Sequence, residues 1–490
     1  MRLGELVAEF PIHAPAGDTP DLLLTGVTDD SRAVEPGMLF VARAGSTKDG
    51  RQYLDDALAR GASAVLTTAD GSDHPNDVVH LKTDDPAAML GAIVHRWHGD
   101  PTRQLRIVGV TGTNGKTTVA TLLRQILREA GRRCGLLGTI DIDDGARIAP
   151  AELTTPGAPE LAAIFARMVA NGCTDAVMEV SSHALDQQRV AGMHFTGGIF
   201  TNLSGDHLDY HGTMNAYRDA KARLFAALPG HGFAVINARD DAAAAMREAA
   251  EGAGARVIAC GDDPAPSARV IARTVAGTAL ELRGAWGTIR GTVPLVGVHN
   301  AMNVLEAVAA AHELGLDQAT LARSLPRLTA PPGRLEPVAS RRTGPAVFVD
   351  YAHTDDALVN VLQAVRPLVP DHGTLRVVFG CGGDRDRTKR PRMMQAALNG
   401  ADDVMVTSDN PRTEDPSSIV EEILAGVPDE ARSRVSALVD REEAIHAAIT
   451  RARPADVVII AGKGHEDYQI VGTERRPFDD RLIAAEALSQ

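Results

Sequence analysis

The last third of the chain alternates unbroken apolar runs with polar clusters. The runs are Val347-Phe-Val-Asp350, Leu375-Arg-Val-Val-Phe-Gly380, Asp403-Val-Met-Val-Thr407 and Val457-Val-Ile-Ile-Ala461, and this is how strands covered on both faces read. The clusters that follow them are Asp350-Tyr-Ala-His353, Gly382-Gly-Asp-Arg-Asp-Arg387, Ser408-Asp-Asn-Pro-Arg412 and Gly462-Lys-Gly-His-Glu466. Ligands of an open parallel sheet bind beyond the carboxyl ends of its strands, so the clusters predict one shared site. In the middle of the chain, Leu105–Val110, Ala176–Val180, Gly198–Thr201 and Phe233–Asn237 also read as strands. Between them, Val119–Leu127, Tyr217–Phe225 and Ala242–Ala253 have helical spacing. Nearer the start, short runs such as Gly37–Ala42 and Ala62–Thr67 alternate with turns, and no internal repeat is visible. The fold class is therefore α/β. Boundary signals at Gly99-Asp-Pro-Thr-Arg103 and Ala330-Pro-Pro-Gly333 divide the chain into segments 1–98, 99–330 and 331–490.

Composition narrows the functions. The 490 residues carry 50 Lys plus Arg against 64 Asp plus Glu, a formal net charge of −14, which disfavours nucleic acid as a partner while leaving room for local basic pockets. Cys134, Cys173, Cys260 and Cys381 lie far apart, so a reducing compartment without a disulfide framework is expected. The acid-interrupted N-terminus is no signal peptide, and no apolar run reaches membrane-spanning length. A soluble, cytoplasmic, monomeric protein is expected.

The clearest chemistry lies in Gly109-Val-Thr-Gly-Thr-Asn-Gly-Lys-Thr-Thr118, between a strand and a helix. Loop amides and a helix N-terminus can cradle phosphate, Lys116 adds a positive charge, and the Thr117 hydroxyl can hold Mg2+. The common pattern wants a glycine five places before Gly115. Val110 stands there, and the glycine comes at Gly112.

Other candidates admit two readings each. Glu179 ends a strand where a Mg2+ ligand belongs, although Ser181 or Ser182 beside it could simply cap a helix. His207, among Asp206, Asp209 and His211, is either a metal ligand or structural. Lys221 on its amphipathic stretch reads as a solvated surface lysine, because an ammonium has no lone pair for a metal. Asn300 and Asn303 open a helix and either cap it or bond a base. Arg385, Arg387, Lys389, Arg390 and Arg412 are explained by salt bridges to Asp384, Asp386 and Asp409, or by a ligand bearing carboxylates. With Glu466 to receive an ammonium, the second reading suits a zwitterion such as an amino acid.

Taken together, these stretches resemble the Mur ligase family over nearly the whole chain. The resemblance rests on residues 111–118, 179–183, 202–211, 220–225, 299–303, 332–336, 350–353, 382–386, 409–412 and 462–466. It implies an N-terminal α/β domain for a uridine-linked substrate (1–98), a central P-loop-type ATPase domain with a mostly parallel sheet (99–330) and a C-terminal Rossmann-like domain for an amino acid (331–490). It also implies that Gly112, Thr113, Asn114, Gly115, Lys116, Thr117, Thr118, Asn300, Asn303, Arg334 and Asp350 bind ATP. Thr117, Glu179 and His207 would hold Mg2+, together with Lys221 once carbamylated, which turns that amine into a carboxylate-like group. Ser31, Thr154, Thr155, Ser181, Gln187 and Arg189 match contacts to a UDP-linked muramoyl dipeptide. Leu153 departs from the asparagine usual in relatives, so one such contact is missing or replaced.

The implied reaction is amide ligation. A D-glutamate carboxylate attacks the γ-phosphate of ATP, and the amine of an incoming amino acid then displaces phosphate from the acyl phosphate. Closing the C-terminal domain about the joint near Pro331 would keep water out. In the family, Asp-Asn-Pro-Arg accepts meso-diaminopimelate, with Arg385, Asp409, Asn410, Arg412, Gly462 and Glu466 forming the pocket. A lysine-adding enzyme would leave Arg412 buried and unpaired, at about 3–5 kcal/mol. That alternative and a folylpolyglutamate synthetase-like ligase are the neighbouring readings. A nucleotide-binding regulator without ligation chemistry would leave the C-terminal charged clusters without a purpose.

Overall fold

The computed structural model describes residues 1–14, 21–44, 49–68, 78–261, 264–338 and 344–490. These form two compact units, one of residues 1–267, 284–286 and 305–320, the other of 268–283, 287–304 and 321–490.

The first unit holds two sheets. Strands β1 (Gly26–Thr28), β2 (Met38–Val41), β3 (Ala64–Thr67) and β4 (Val79–Lys82) pair in sequence order, all parallel. The helix Pro86–Trp97 packs Leu90, Ile93 and Val94 into their core.

The second sheet has β5 (Arg106–Thr111), β6 (Cys134–Leu137), β7 (Asp141–Asp143), β8 (Ile148–Pro150), β9 (Asp175–Glu179), β10 (Gly197–Phe200), β11 (Phe233–Asn237) and β12 (Arg256–Cys260). Their order is β12-β11-β10-β5-β9-β6-β7-β8, parallel as far as β6 and antiparallel at β7 and β8. The expected middle strands are therefore present, with β5 between β10 and β9. That order brings the loop after β5 beside Glu179 and beside residues 201–204. The helix Lys116–Glu129 follows at once, burying Val119, Leu122, Leu123, Ile126 and Leu127 at the spacing the sequence shows.

The second unit contains the sheet β13 (Ser267–Thr274), β14 (Gly277–Gly284) and β15 (Gly287–Val293), which the hydrophobic pattern does not predict. It also contains β16 (Glu336–Pro337), β17 (Ala346–Asp350), β18 (Leu375–Phe379), β19 (Asp403–Val406), β20 (Val435–Ala437) and β21 (Val457–Ala461). These run in the order β16-β17-β21-β18-β19-β20, parallel except for β16. The four apolar runs are adjacent strands, so their polar ends share one edge. A hairpin of β22 (Tyr468–Val471) and β23 (Glu474–Pro477) completes the unit.

The four cysteines are free and buried. Among the described residues, no helix is long and apolar enough to cross a membrane.

Candidate active site

The phosphate loop shows why its glycine is displaced. Val110 is buried within β5 and paired with Glu179 of β9, so a glycine is not needed there. At Gly112, by contrast, φ is +152° and a Cβ would overlap Thr201 Oγ1. The loop is braced from the 201–204 side: Thr113 N–H donates to Asn202 O at 2.8 Å and Asn114 N–H to Asn202 Oδ1 at 2.9 Å.

Two lysines converge on one carbonyl of this loop. Lys116 Nζ donates to Gly112 O at 3.0 Å and to Thr113 O at 2.8 Å, while Lys221 Nζ donates to the same Gly112 O at 2.9 Å. Lys221 is 1% exposed, with its amine over the Tyr217 ring at 4.3 Å. This overturns the surface-lysine reading. The helix Met214–Ala226 turns the Lys221 face inward with Tyr217, Ala220, Leu224 and Phe225. Burial, reinforced by the nearby Lys116 charge, holds the Lys221 pKa well below its ordinary value.

Glu179 is buried at the end of β9. Its Oε2 accepts from Thr117 Oγ1 at 2.9 Å and from Thr139 Oγ1 at 3.1 Å, and its Oε1 accepts from the Thr139 amide at 2.8 Å. A carboxylate and a hydroxyl on the phosphate loop are hard oxygen donors of the kind Mg2+ takes alongside phosphate oxygens and water. The capping alternative also holds, because Ser181 Oγ accepts from Ala184 N–H at 3.2 Å. Thr139 belongs to this site and was not singled out in the sequence; only its place just beyond β6 could have signalled it.

His207 stands apart from Glu179 in character. Its side chain is about half exposed, its φ is +53°, and its Nε2 lies 3.6 Å from Asp206 Oδ2. Its ring meets that of His183 edge-on at 4.8 Å, and His183 lies 4.2 Å from Tyr210. Among the described residues, no group of three or more His, Cys, Asp or Glu side chains is arranged to hold a metal. A second ion on His207 therefore needs a donor that an unmodified Lys221 amine does not supply.

Five of the residues matched to a uridine-linked substrate are joined by hydrogen bonds around Glu179 and the turn that follows it, and Ser31 is buried in the N-terminal part of the same unit. Thr154 Oγ1 bonds Thr139 Oγ1 at 3.1 Å, and Thr155 Oγ1 donates to Glu179 O at 2.9 Å while accepting from Ser181 N–H at 3.0 Å. Arg189 clamps Gln187 Oε1 through Nε and Nη2 at 3.1 and 2.8 Å and reaches Thr155 O through Nη1 at 2.8 Å. Gln187 Nε2 also donates to the Tyr210 hydroxyl at 3.2 Å. Leu153 is 52% exposed beside them.

In the second unit the strand-end clusters meet as expected. Asp350 takes the Leu335 and Ala352 amides on its two oxygens at 2.7 and 2.8 Å. The Arg334 guanidinium lies 5.0 Å from the Tyr351 ring. Asn300 donates to Val296 O, just before the helix His299–Glu313, at 2.6 Å and accepts from Asn303 Nδ2 at 2.8 Å, so the two amides are engaged locally. Asn410 donates to Glu466 Oε2 at 2.9 Å. The buried Lys463, which the sequence reading passed over, contacts Asn410 Oδ1 and Glu466 Oε2 at 3.3 Å each and Asp409 Oδ1 at 3.8 Å. Gly462 must be glycine, because a Cβ would stand 2.8 Å from Asp409 Oδ2 at φ +118°.

The arginines divide into two groups. Arg387 pairs with Glu422, and the fully buried Arg390 pairs with Glu414 and Glu422 at 2.9 and 2.6 Å. Their partners are these glutamates and not the aspartates the sequence suggested. Arg385 and Arg412 flank Gly382 and, among the described residues, form no ion pair. Arg412 is only half-buried and its Nη1 donates to Gly383 O at 2.8 Å. An unfilled Arg412 is thus partly satisfied, and the 3–5 kcal/mol expected for a buried, unpaired charge is too large. About 1.5–3 kcal/mol, the worth of a hydrogen bond to a charged group, is the better figure. The hairpin holds this loop in place: Gln469 Nε2 donates to Asp409 O at 2.6 Å, Ile470 N–H to Asn410 Oδ1 at 2.9 Å, and Arg412 N–H to Ile470 O at 3.0 Å.

Comparison with known proteins agrees with this layout. Residues 23–98 match the description "Mur ligase family, catalytic domain", 110–311 "Mur ligase middle domain" and 333–464 "Mur ligase, glutamate ligase domain". The chain is 44% identical over 498 residues to the UDP-N-acetylmuramoyl-L-alanyl-D-glutamate–2,6-diaminopimelate ligase of Synechococcus elongatus, covering 100% of this chain and 99% of that protein. It is 42% identical to the protein of the same name from Gloeobacter violaceus, covering 100% and 98%. A solved structure of a ligase of that name is 36% identical with a TM-score of 0.75, covering 100% of this chain and 98% of the other.

Proposed function

The chain belongs to the Mur ligase family, and we propose that it is the ATP-dependent ligase that adds meso-diaminopimelate to UDP-N-acetylmuramoyl-L-alanyl-D-glutamate in peptidoglycan precursor synthesis. The observation that carries the chemistry is the convergence of Lys116 and Lys221 on the Gly112 carbonyl, beside the Thr117–Glu179 pair.

The loop amides from Gly112 to Thr118 and the Lys116 ammonium receive the ATP phosphates. Thr117 and Glu179 would hold Mg2+, which when bound offsets charge as the glutamate carboxylate approaches the γ-phosphate. His207, with Lys221 as its carbamate, would hold a second ion. Only a neutral amine attacks CO2, and burial lowers the Lys221 pKa, which favours that form relative to a solvated lysine. Asn300, Asn303, Arg334 and Asp350 serve the nucleotide. Thr154, Thr155, Ser181, Gln187 and Arg189, with Ser31, orient the uridine-linked dipeptide so that its D-glutamate carboxylate faces the phosphate loop. Attack on the γ-phosphate gives acyl phosphate and ADP. The amine of the amino acid then adds to the acyl carbon, and phosphate leaves.

Amino-acid choice follows from charge. Arg385 and Arg412, with Asp384 nearby but no carboxylate within ion-pair distance among the described residues, are suited to the far carboxylate of diaminopimelate. Asp409, Asn410 and Glu466 are suited to its ammonium, with Gly462 leaving room. L-Lysine lacks the far carboxylate and would leave both guanidinia without it. The test is phosphate release over an amino-acid panel. Turnover is expected only with ATP, Mg2+, the uridine-linked dipeptide and meso-diaminopimelate together. Equal turnover with L-lysine would remove the role given to Arg412.

A further inference from the structure

Between Gln187 and Arg189 stands Gln188, whose backbone is left-handed at φ +56°. It follows the C-cap of the helix Ser182–Asp186, where the closing bonds run from Arg189 N–H to Ala184 O at 2.8 Å and from Gln188 N–H to Leu185 O at 3.3 Å. Helices that end this way usually place glycine at that position, because a Cβ is disfavoured in the left-handed region. The glutamine has a use that glycine lacks. Its Nε2 donates to Asp85 Oδ2 at 2.9 Å. Asp85 in turn caps the helix Pro86–Trp97, its Oδ1 accepting from Ala88 N–H at 3.0 Å.

Two glycines let the same surfaces approach beyond this bond. A Cβ on Gly91 would overlap the Ala191 carbonyl, and one on Gly192, at φ +75°, would stand 2.6 Å from Ala92 N. The turn that carries Gln187 and Arg189 is thus pressed backbone to backbone against the helix that Asp85 begins.

We infer that Gln188 and Asp85 are positioning residues for the uridine-linked substrate. Their hydrogen bond holds the left-handed turn that aims Gln187 and Arg189 together at one site. The inference rests on the substrate assignment of the preceding subsection. Neither residue touches substrate; both act through Gln187 and Arg189.

Steady-state kinetics and melting of the full chain test it. Gln188→Glu sets two carboxylates face to face and is expected to raise KM for the uridine-linked dipeptide about five- to tenfold, the worth of one hydrogen bond. KM for ATP should stay within twofold. Adding Asp85→Asn restores a donor–acceptor pair, since the Asn amide donates to Glu while its carbonyl oxygen keeps the cap, and should return KM to within about twofold of wild type. Gln188→Gly keeps the left-handed backbone without strain, and should raise the same KM with no loss of thermal stability. A wild-type KM in both single variants would overturn the inference. So would a parallel rise in the KM of every substrate together with a lower melting temperature, which would mark Gln188 as structural only. If the unaltered chain does not turn over the uridine-linked dipeptide, the substrate assignment fails first and takes this inference with it.

Discussion

Replacing Gly112 with alanine should damage the phosphate loop by an amount that can be worked out from its neighbours. The new Cβ would overlap Thr201 Oγ1 and stand 3.0 and 3.1 Å from Asn202 O and N, at φ +152°. An L-residue at such a positive φ, beyond the left-handed helical region, costs about 1–3 kcal/mol. Thr201 Oγ1 cannot simply turn away, because it donates to Asn114 O at 2.6 Å, and losing that buried bond costs about 1–2 kcal/mol more. The total of about 3 kcal/mol should lower the melting temperature of the first unit by several degrees. Because Asn114 and Thr113 are held from the same side, their amides should shift with Thr201. Nucleotide affinity is then expected to fall by about 10- to 100-fold, the worth of one or two displaced hydrogen bonds to a charged ligand. Thermal melting and calorimetric titration with ADP would measure both. Thr201→Ala removes the overlapping oxygen, so the double variant should be more stable than the sum of the two singles by at least about 1 kcal/mol. Wild-type affinity in Gly112→Ala, or strict additivity in the double variant, would refute the account of why the glycine stands at 112.

Lys221→Met keeps volume and drops the amine, so it should melt at or above the wild-type temperature while losing about 100-fold or more in phosphate release; wild-type turnover would remove Lys221 from the site. Lys221→Ala should be nearly inactive and partly rescued by a short carboxylic acid, and an absent rescue would remove the carbamate. Arg412→Ala should lower kcat/KM for meso-diaminopimelate about 10- to 150-fold, corresponding to about 1.5–3 kcal/mol, without changing ADP affinity; an unchanged kcat/KM would reject the specificity assignment. His95 is 0% exposed, has no hydrogen-bond partner for either ring nitrogen among the described residues, and is held by burial at a pKa of about 4 against an ordinary 6.5. The unfolded chain therefore binds the proton first, so stability is unaffected above pH 6.5 and falls by about 3 kcal/mol as pH drops from 6.5 to 4. Urea titrations should show that acid limb flattened in His95→Leu, and an identical slope would place the acid sensitivity elsewhere.

The strands and the loop chemistry of the site were legible because each is written locally. Runs such as Val457–Ala461 are apolar at every position, as only a strand covered on both faces needs to be. A glycine loop between β5 and a helix makes its own anion site from main-chain groups, so residues 112–118 announce it. The β13-β14-β15 sheet was not legible, because β13 is largely exposed and mixes arginines with apolar residues. The hairpin that steadies Asp409 and Arg412 was missed for a similar reason: β22 is only partly buried and β23 is exposed.

Lys221 and Gln188 mark a deeper limit, because their chemistry is set by what other segments do to them. On its own helix Lys221 has the spacing of a surface residue. What sets it apart is its burial against the Gly112 carbonyl 109 positions away, with a second lysine on that same oxygen. Gln188 is an ordinary polar residue until Asp85, 103 positions earlier, gives its side chain a reason to bear a left-handed backbone. In both cases a locally unfavourable state, a buried amine or a strained turn, persists only because distant groups hold it. Local pattern therefore finds the glycine loop after β5, while the burial of Lys221 and the bond from Gln188 to Asp85 become visible only once the chain has closed on itself.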